Sequence, residues 1–333
     1  MRKRKATVLL AGLSAAALAL AGCANGDGGG DNGDNGDNGG GDGGYHIILV
    51  SKGFQHQFWQ AVQAGAQEEA DAQGVTMEFD GPASETQVDN QLQMLQTAID
   101  SGPDAIGYAA LDPEACLPLF DQAEAMDIPI VQFDAACNSE YGNYLAATDG
   151  VVAGALAAEN MAQGIDGEGK VAIVGHSQIN STGIERRDGF IEHMEDNYPD
   201  IEIVDIQYGD GDHIESADIA RAMLNAHPDL AGLYGTNEGS AIGIVNAVNE
   251  LGLEPGSVAI VGFDSGSAQQ EAIRDGLMLG AVTQDPMEIG RLTIRNAIAL
   301  IEGEELPEFT DTGSFWYDAD NIDDEDIQTM IYD

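Results

Sequence analysis

Basic residues are scarce in this chain: Lys and Arg number 12 against 58 Asp and Glu, a formal net charge of −46 at pH 7. A surface so negative repels nucleic acid and anionic lipid headgroups, which argues against DNA binding and polyanionic substrates. The same surplus is the pattern by which proteins of high-salt habitats stay soluble. Cysteines number only three, too few for a disulfide-rich scaffold. The six histidines, His46, His56, His176, His193, His213 and His227, show no HExxH or paired spacing for zinc. No G-x-G-x-x-G follows the first apolar run, where SKGFQHQF stands instead, and no G-x-S-x-G elbow occurs. The expectation is therefore a protein that is not an enzyme, with no cofactor and no metal. Aromatics make up 6% of the chain, yet Phe54, Phe58 and Trp59 crowd into one short stretch.

Apolar length is short as well. ATVLLAGLSAAALALAG, residues 6–22, follows the basic start MRKRK and reads as a secretory signal rather than a spanning helix. Leu20-Ala21-Gly22-Cys23 resembles the lipobox of bacterial lipoproteins. That resemblance implies cleavage before Cys23, a lipid anchor on its sulfur, and a place on the outer face of the cell membrane. Residues 24–44 hold no apolar residue beyond Ala24, so residues 23–44 read as a flexible Gly/Asp-rich tether. A calcium-binding repeat is the competing reading, but the EF-hand spacing is absent. Removing residues 1–22 takes away four basic residues and leaves a net charge of about −50.

From Tyr45 onward, short β-rich runs alternate with amphipathic stretches of helical length. Candidate strands are YHIILVS, VTMEF, AIGYAA, IPIVQF and YLAAT, then KVAIVG, IEIVDIQ, LAGLYG, VAIVGF and LGAVTQ. Between them, patterns such as VDNQLQMLQTAIDSG set Val88, Leu92, Leu95 and Ile99 on one helical face. This alternation predicts an α/β fold of parallel sheets flanked by helices. The chain is also written twice. Residues 93–134 and 220–264 both run from Met-Leu through Pro-Asp, a strand, a polar pair and a helix to a strand ending Phe-Asp. Asp134 and Asp264 are counterparts, as are Asp112 and Asn237, and two similar lobes are predicted.

In open α/β sheets, ligands gather beyond the carboxyl ends of the strands, where Asp112, Asp134, Asn237 and Asp264 all stand. Helix capping is the competing reading, strongest for Asp112. Phe58 and Trp59 open the first helix at the same level and offer flat apolar faces. Phe54 reads as an anchor of that helix in the core. Sugar rings present C–H faces and hydroxyl edges, and a hydroxyl stripped of water and left unpaired costs about 1–3 kcal/mol. A carboxylate accepts from two hydroxyls, and an amide both donates and accepts. The set suits one small neutral molecule.

On these residues, the segment from Tyr45 to Asp333 resembles the type I periplasmic binding proteins, specifically the ribose-binding branch that serves ABC sugar importers. The resemblance is carried by Phe58-Trp59, IPIVQFD ending at Asp134, AHPDLAGLYGTNE holding Asn237, VAIVGFD ending at Asp264, and VTQDP holding Gln284. It implies a ligand cleft between lobes of residues 45–148 with 285–312 and 149–284 with 313–333. Three hinge crossings would fall near residues 147–150, 283–286 and 312–315. Phe58 and Trp59 would sandwich a sugar ring, Asp134, Asn237, Asp264 and Gln284 would bond its hydroxyls, and His56 stands where the family usually has Asn. The implied partners are a sugar-like ligand and an ABC permease, with the protein a monomer; ligand sensing is the alternative use of the same fold. A sugar-responsive repressor shares the fold, but it would need a helix-turn-helix at the amino terminus, where residues 1–44 read as an export signal and a Gly/Asp tether.

Two departures bear on the ligand. Ala135 and Ile184 stand where the family has sugar-clamping arginines; Arg186 and Arg187 lie nearby, and one of them could reach the cleft from a shifted position. Losing two guanidinium forks removes fixed donors, which turns the expectation from ribose toward a deoxy or alkylthio pentose or a small polyol. Cys116 and Cys137, in an oxidising compartment, either close a disulfide or remain two buried thiols.

Overall fold

A computed structural model describes residues 44–332; the signal segment, Cys23 and nearly all of the tether lie outside the described residues. Within them, no helix is long and apolar enough to cross a membrane. The first lobe runs β1 (His46–Val50), α1 (Gln57–Gln73), β2 (Thr76–Asp80), α2 (Val88–Ser101), β3 (Ala105–Tyr108), α3 (Leu117–Ala125), β4 (Ile130–Phe133) and β5 (Leu145–Ala147). The second runs α4 (Gly150–Gly164), β6 (Gly169–Gly175), α5 (Ser181–Asn197), β7 (Ile201–Tyr208), α6 (His213–Ala226), β8 (Leu230–Gly235), α7 (Glu238–Leu251), β9 (Ala259–Phe263), α8 (Ser267–Arg274) and β10 (Gly280–Gln284). The chain then returns to the first lobe with α9 (Pro286–Ile301) and β11 (Phe309–Asp311). It ends in the second with β12 (Ser314–Asp318) and α10 (Glu325–Gln328).

Hydrogen bonding builds two six-stranded sheets, ordered β11-β5-β4-β3-β1-β2 and β12-β10-β9-β8-β6-β7. The orders coincide when β1 is matched to β6, so the doubled sequence is a doubled fold. The chain passes between sheets at residues 148–149, 285 and 312–313. All ten candidate strands are present. Strands β11 and β12 were not expected, because they are short hinge strands outside the strand–helix alternation.

Sheets covered on both faces need strands that are apolar throughout. In β1, Ile47 and Leu49 enter one core cluster while Ile48 and Val50 enter another on the opposite face. Strand β6 repeats this, with Val171 and Ile173 on one side and Ala172 and Val174 on the other. The exposed positions of edge strand β2 are Thr76, Glu78 and Asp80, a polar row that discourages pairing with another chain. Helices α1 and α9 meet through glycine: a Cβ on Gly65 would lie 2.1 Å from the Met287 carbonyl oxygen, and one on Gly290 2.1 Å from that of Val62. This contact draws the returning α9 onto the first lobe.

Phe54 is not the core anchor expected of it. It is 36% exposed and meets only the edge of Phe79, ring centroids 5.8 Å apart. It lies in the irregular turn ahead of α1, and Phe58, Trp59 and Val62 fill the core in its place. The tail closes over the hinge side: the Tyr332 ring lies 6.3 Å from Phe58, and its hydroxyl accepts from the Ser265 amide. Cys116 and Cys137 are joined by a disulfide with Cα atoms 6.2 Å apart, tying the start of α3 to the loop that follows Asp134. Replacing both by serine is expected to lower the unfolding free energy by about 3 kcal/mol on the loop-entropy account. Urea unfolding of the variant and of wild type, each with and without reductant, measures it; an unchanged midpoint would show the bridge to be energetically idle.

Candidate functional site

Strands β4 and β9 both end in Phe-Asp, and both aspartates turn out of the strand with positive φ, 60° for Asp134 and 75° for Asp264. A non-glycine residue in that region costs about 1 kcal/mol, and Asp tolerates it better than most. The turn carries both carboxylates off the sheet ends into the gap between the lobes. There they line a narrow, partly open cavity.

His56, Phe58, Trp59, Asp134, Asn237, Asp264 and Gln284, the residues singled out in the sequence for ligand contact, all line this cavity. Four more line it that the motif comparison did not assign: Lys52, Glu85, His176 and Arg186. A usable signal existed for two of them, since Lys52 and His176 each stand just past the carboxyl end of a strand. Asp112 does not belong to the cavity. Its carboxylate accepts from the Glu114 and Ala115 amides in a local turn ahead of α3, whose N-cap is Cys116, so Asp112 neither faces the cavity nor caps that helix. Asn237 does both jobs: its Oδ1 accepts from the Ser240 amide at the start of α7, and its Nδ2 lies 3.5 Å from His56 Nε2 across the gap.

The two departures at Ala135 and Ile184 do not leave the cavity without cationic donors. Lys52 Nζ lies 2.8 Å from Asp134 Oδ2 and 5.6 Å from the Trp59 ring centroid, and donates to Thr182 Oγ1 of the second lobe at 3.3 Å. Arg186, two residues beyond Ile184 in α5, reaches the cavity by laying its guanidinium 3.8 Å from the Phe263 ring centroid. Its Nη1 donates to the Thr236 carbonyl, while its buried Nε has no partner. Among the described residues, Arg186 is the one Lys or Arg without a carboxylate partner. Arg187 is not the substitute, because it pairs with Asp188 and Tyr208. The argument from missing donors to a deoxy, thio or polyol ligand therefore loses its premise.

Acidic groups balance these cations. Asp264 accepts from Gln284 Nε2 at 2.6 Å and from the Glu238 amide at 3.0 Å. Burial raises its pKa, with Arg186 opposing. Glu85 accepts from the Trp59 indole at 2.9 Å. Burial pushes this carboxyl up, but Lys52, His56 and the indole together hold it below its ordinary value. Burial lowers His56, and burial with Arg186 and Lys52 beside it lowers His176 well below the usual imidazole range. Both rings are thus neutral near pH 7, each able to donate and to accept. His176 Nδ1 meets Thr236 Oγ1 at 2.8 Å and its Nε2 meets Thr182 Oγ1 at 3.2 Å. Stacking faces, a near-balance of buried charge and several bifunctional groups make a site for a compact neutral molecule rich in hydroxyls.

Comparison with known proteins agrees with this geometry. The sequence model of a family described as a periplasmic binding protein domain matches residues 47–305. The D-ribose/D-allose-binding protein of Pseudomonas aeruginosa is 27% identical over 266 residues, covering 78% of this chain and 82% of that protein. The D-allose-binding periplasmic protein of Escherichia coli is 27% identical, covering 78% and 88%. An ABC transporter solute binding protein from Agrobacterium vitis, solved with bound D-fucose, is 30% identical with a TM-score of 0.82, covering 86% of this chain and 100% of that one. A carbohydrate transporter solute binding protein from Agrobacterium radiobacter, solved with D-arabinose, is 28% identical with a TM-score of 0.83, covering 88% and 100%.

Removing Lys52 strands a buried carboxylate. Lys52→Met is expected to lower the unfolding free energy by about 3 kcal/mol, and Lys52→Met with Asp134→Leu to recover most of that loss. Urea titrations of the single and double variants check it. A double variant no more stable than the single one would mean that Asp134 does not depend on Lys52.

Proposed function

The chain belongs to the periplasmic binding protein domain family, and from that premise we propose that it is the extracytoplasmic sugar-binding component of a carbohydrate ABC importer. It captures one neutral pentose or hexose between its lobes and hands it to the membrane permease. The observation that carries this reading is the convergence of Phe58, Trp59, Asp134, Asn237, Asp264 and Gln284 on one cavity at the carboxyl ends of both sheets. Trp59, held by Glu85, and Phe58 at its edge, ring centroids 4.9 Å apart, give the sugar an apolar wall. Asp134 and Asp264 accept from hydroxyls, Lys52 and Arg186 donate to them, and His56, His176, Asn237 and Gln284 do either. Arg186 Nε, buried without a partner, is matched by an oxygen of the ligand. With the cationic donors present, the ring hydroxyls of the sugar meet donors as well as acceptors. Lipidation of Cys23 would tether the domain above the membrane through the Gly/Asp-rich segment, in reach of the permease.

A thermal-shift panel of D-ribose, D-allose, D-arabinose and D-fucose tests the reading. At a hundred times its Kd, a true ligand is expected to raise Tm by about 5 °C, from about 2.7 kcal/mol of linkage. Trp59→Ala is expected to abolish the shift, and Phe54→Ala, which lies outside the cavity, to keep it. Folded protein that responds to no pentose, hexose or polyol would end the proposal. For the anchor, Cys23→Ser is expected to move the protein from the membrane fraction to the soluble exported fraction, read by fractionation of expressing cells.

A further inference from the structure

Two helices that face the gap begin without a cap of their own. Helix α1 follows His56, whose side chain makes no capping bond, and α8 follows Gly266, which has none to give. First-turn amides left open must find acceptors elsewhere, and here each helix is capped from the opposite lobe. Glu238, at the start of α7, accepts from the Gln57 amide at 3.1 Å through Oε1 and from the Phe58 amide at 3.3 Å through Oε2. Gln57, at the start of α1, returns the contact: its Oε1 accepts from the Ser267 amide at 2.8 Å and the Ser267 hydroxyl at 3.0 Å. Gly266 lets the two side chains pass. A Cβ there would stand 2.9 Å from Glu238 Cδ and 3.0 Å from Gln57 Oε1. Glu238 is 3% exposed, and neither it nor Gln57 lines the ligand cavity.

We propose that Glu238 and Gln57 form a reciprocal capping latch that sets ligand affinity from outside the cavity, by holding the lobes closed for a measurable fraction of the time without ligand. The bonds exist only while the lobes meet. Opening returns the amides of both helix starts to water, so the latch acts on the closed population alone. Apparent affinity scales with that population, and the loss of one such cap is expected to weaken it about tenfold. This extends the two-lobe binding reading without depending on which sugar is bound.

The latch is also sensitive to pH. Burial, and next the neighbouring Asp264 carboxylate, push Glu238 up to about 7, against the Gln57 and Phe58 amides, which favour the ionised acid, and with Glu85 adding repulsion. The other titratable groups around it are His56 at the start of α1, Lys52 beyond it, and the Tyr317 and Tyr332 phenols, which titrate well above their ordinary value. Taking 4.5 for the open form, closing takes up a proton at Glu238. Its favourable share is full below about pH 4.5 and is lost as pH rises through about 7. His56 and His176, lowered by burial, act with the opposite sign, so the contrast between wild type and Glu238→Gln isolates the latch.

Small-angle scattering of the ligand-free protein at pH 5.5 and pH 8, with no sugar present, reads closure directly. Wild type is expected to contain a closed fraction. Glu238→Ala and Gln57→Ala are each expected to expand the particle with unchanged circular dichroism. Glu238→Gln, which keeps one acceptor for the two amides and does not titrate, is expected to lose the opening that wild type shows between pH 5.5 and pH 8. Calorimetry with whichever of D-ribose, D-allose, D-arabinose or D-fucose stabilises wild type is expected to give about tenfold weaker binding for Gln57→Ala. A wild type that scatters as fully open at both pH values would overturn the latch, as would alanine variants indistinguishable from wild type. Sugar binding without these effects removes the latch and leaves the binding function standing; a latch in a protein that binds no sugar does the reverse.

Discussion

Lys52 and Asp134 sit 2.8 Å apart with almost none of either side chain exposed, and the site is arranged around keeping that pair and its neighbours compensated. A charge buried alone between two lobes carries a desolvation penalty of several kcal/mol. In a chain with 12 basic residues, four of them in the first five positions, cations are too few to be placed idly. Among the described residues, the six cations outside the cavity, Lys170, Arg187, Arg221, Arg274, Arg291 and Arg295, sit in partly exposed ion pairs, which solvent screens and which contribute little. Lys52 and Arg186 alone face the gap. They allow Asp134, Asp264 and Glu85 to share a small volume without driving the lobes apart.

The left-handed turns at Asp134 and Asp264 follow from the same need. A strand that simply continued would bury its last side chain in the sheet, as Phe133 and Phe263 are buried. One residue in the αL region redirects the next polar group into the gap, at about 1 kcal/mol each. That both lobes use it at matching positions is why the duplication in sequence and the symmetry of the site coincide.

Much of this was legible beforehand because the fold writes itself in runs. Strands buried on both faces, such as HIILV and KVAIVG, stand out as continuous apolar stretches, and Phe-Asp marks where they stop. What was not legible depends on side-chain reach rather than position. Arg186 lies two residues past the expected arginine, and its long side chain turns back over Phe263 to the cavity; the sequence offered Arg186 and Arg187 alike, and only packing tells them apart. Lys52 compensates for Ala135 from a different strand altogether. Glu85 belongs to the loop between β2 and α2 and becomes part of the site only through the Trp59 indole. Phe54 was misread because aromatic character alone does not say which of three nearby rings the core will take. Strands β11 and β12 were missed because they lie outside the strand–helix alternation: β11 pairs with the distant β5, and β12 runs antiparallel beside β10.

The contacts that span the gap share a chemical character that bears on how the protein works. Ala136 with Ser181, Lys52 with Thr182, Gln55 with Gly211, Gln57 with Ser267, and Glu238 with Gln57 and Phe58 are all hydrogen bonds. Tyr332 of the tail, at the edge of Phe58, is an aromatic contact that crosses; the other ring pairs stay within one lobe, with Trp59 against Phe58 and Phe133, and Phe190 stacked on Tyr234. Hydrogen bonds exchanged for water change the free energy by only about 1 kcal/mol each, whereas an apolar interface of the same area would lock the lobes together. Closure is thus a small difference between two hydrated arrangements. A ligand that contacts both lobes needs to supply only a few kcal/mol to shift it, and can be released again when those contacts are withdrawn.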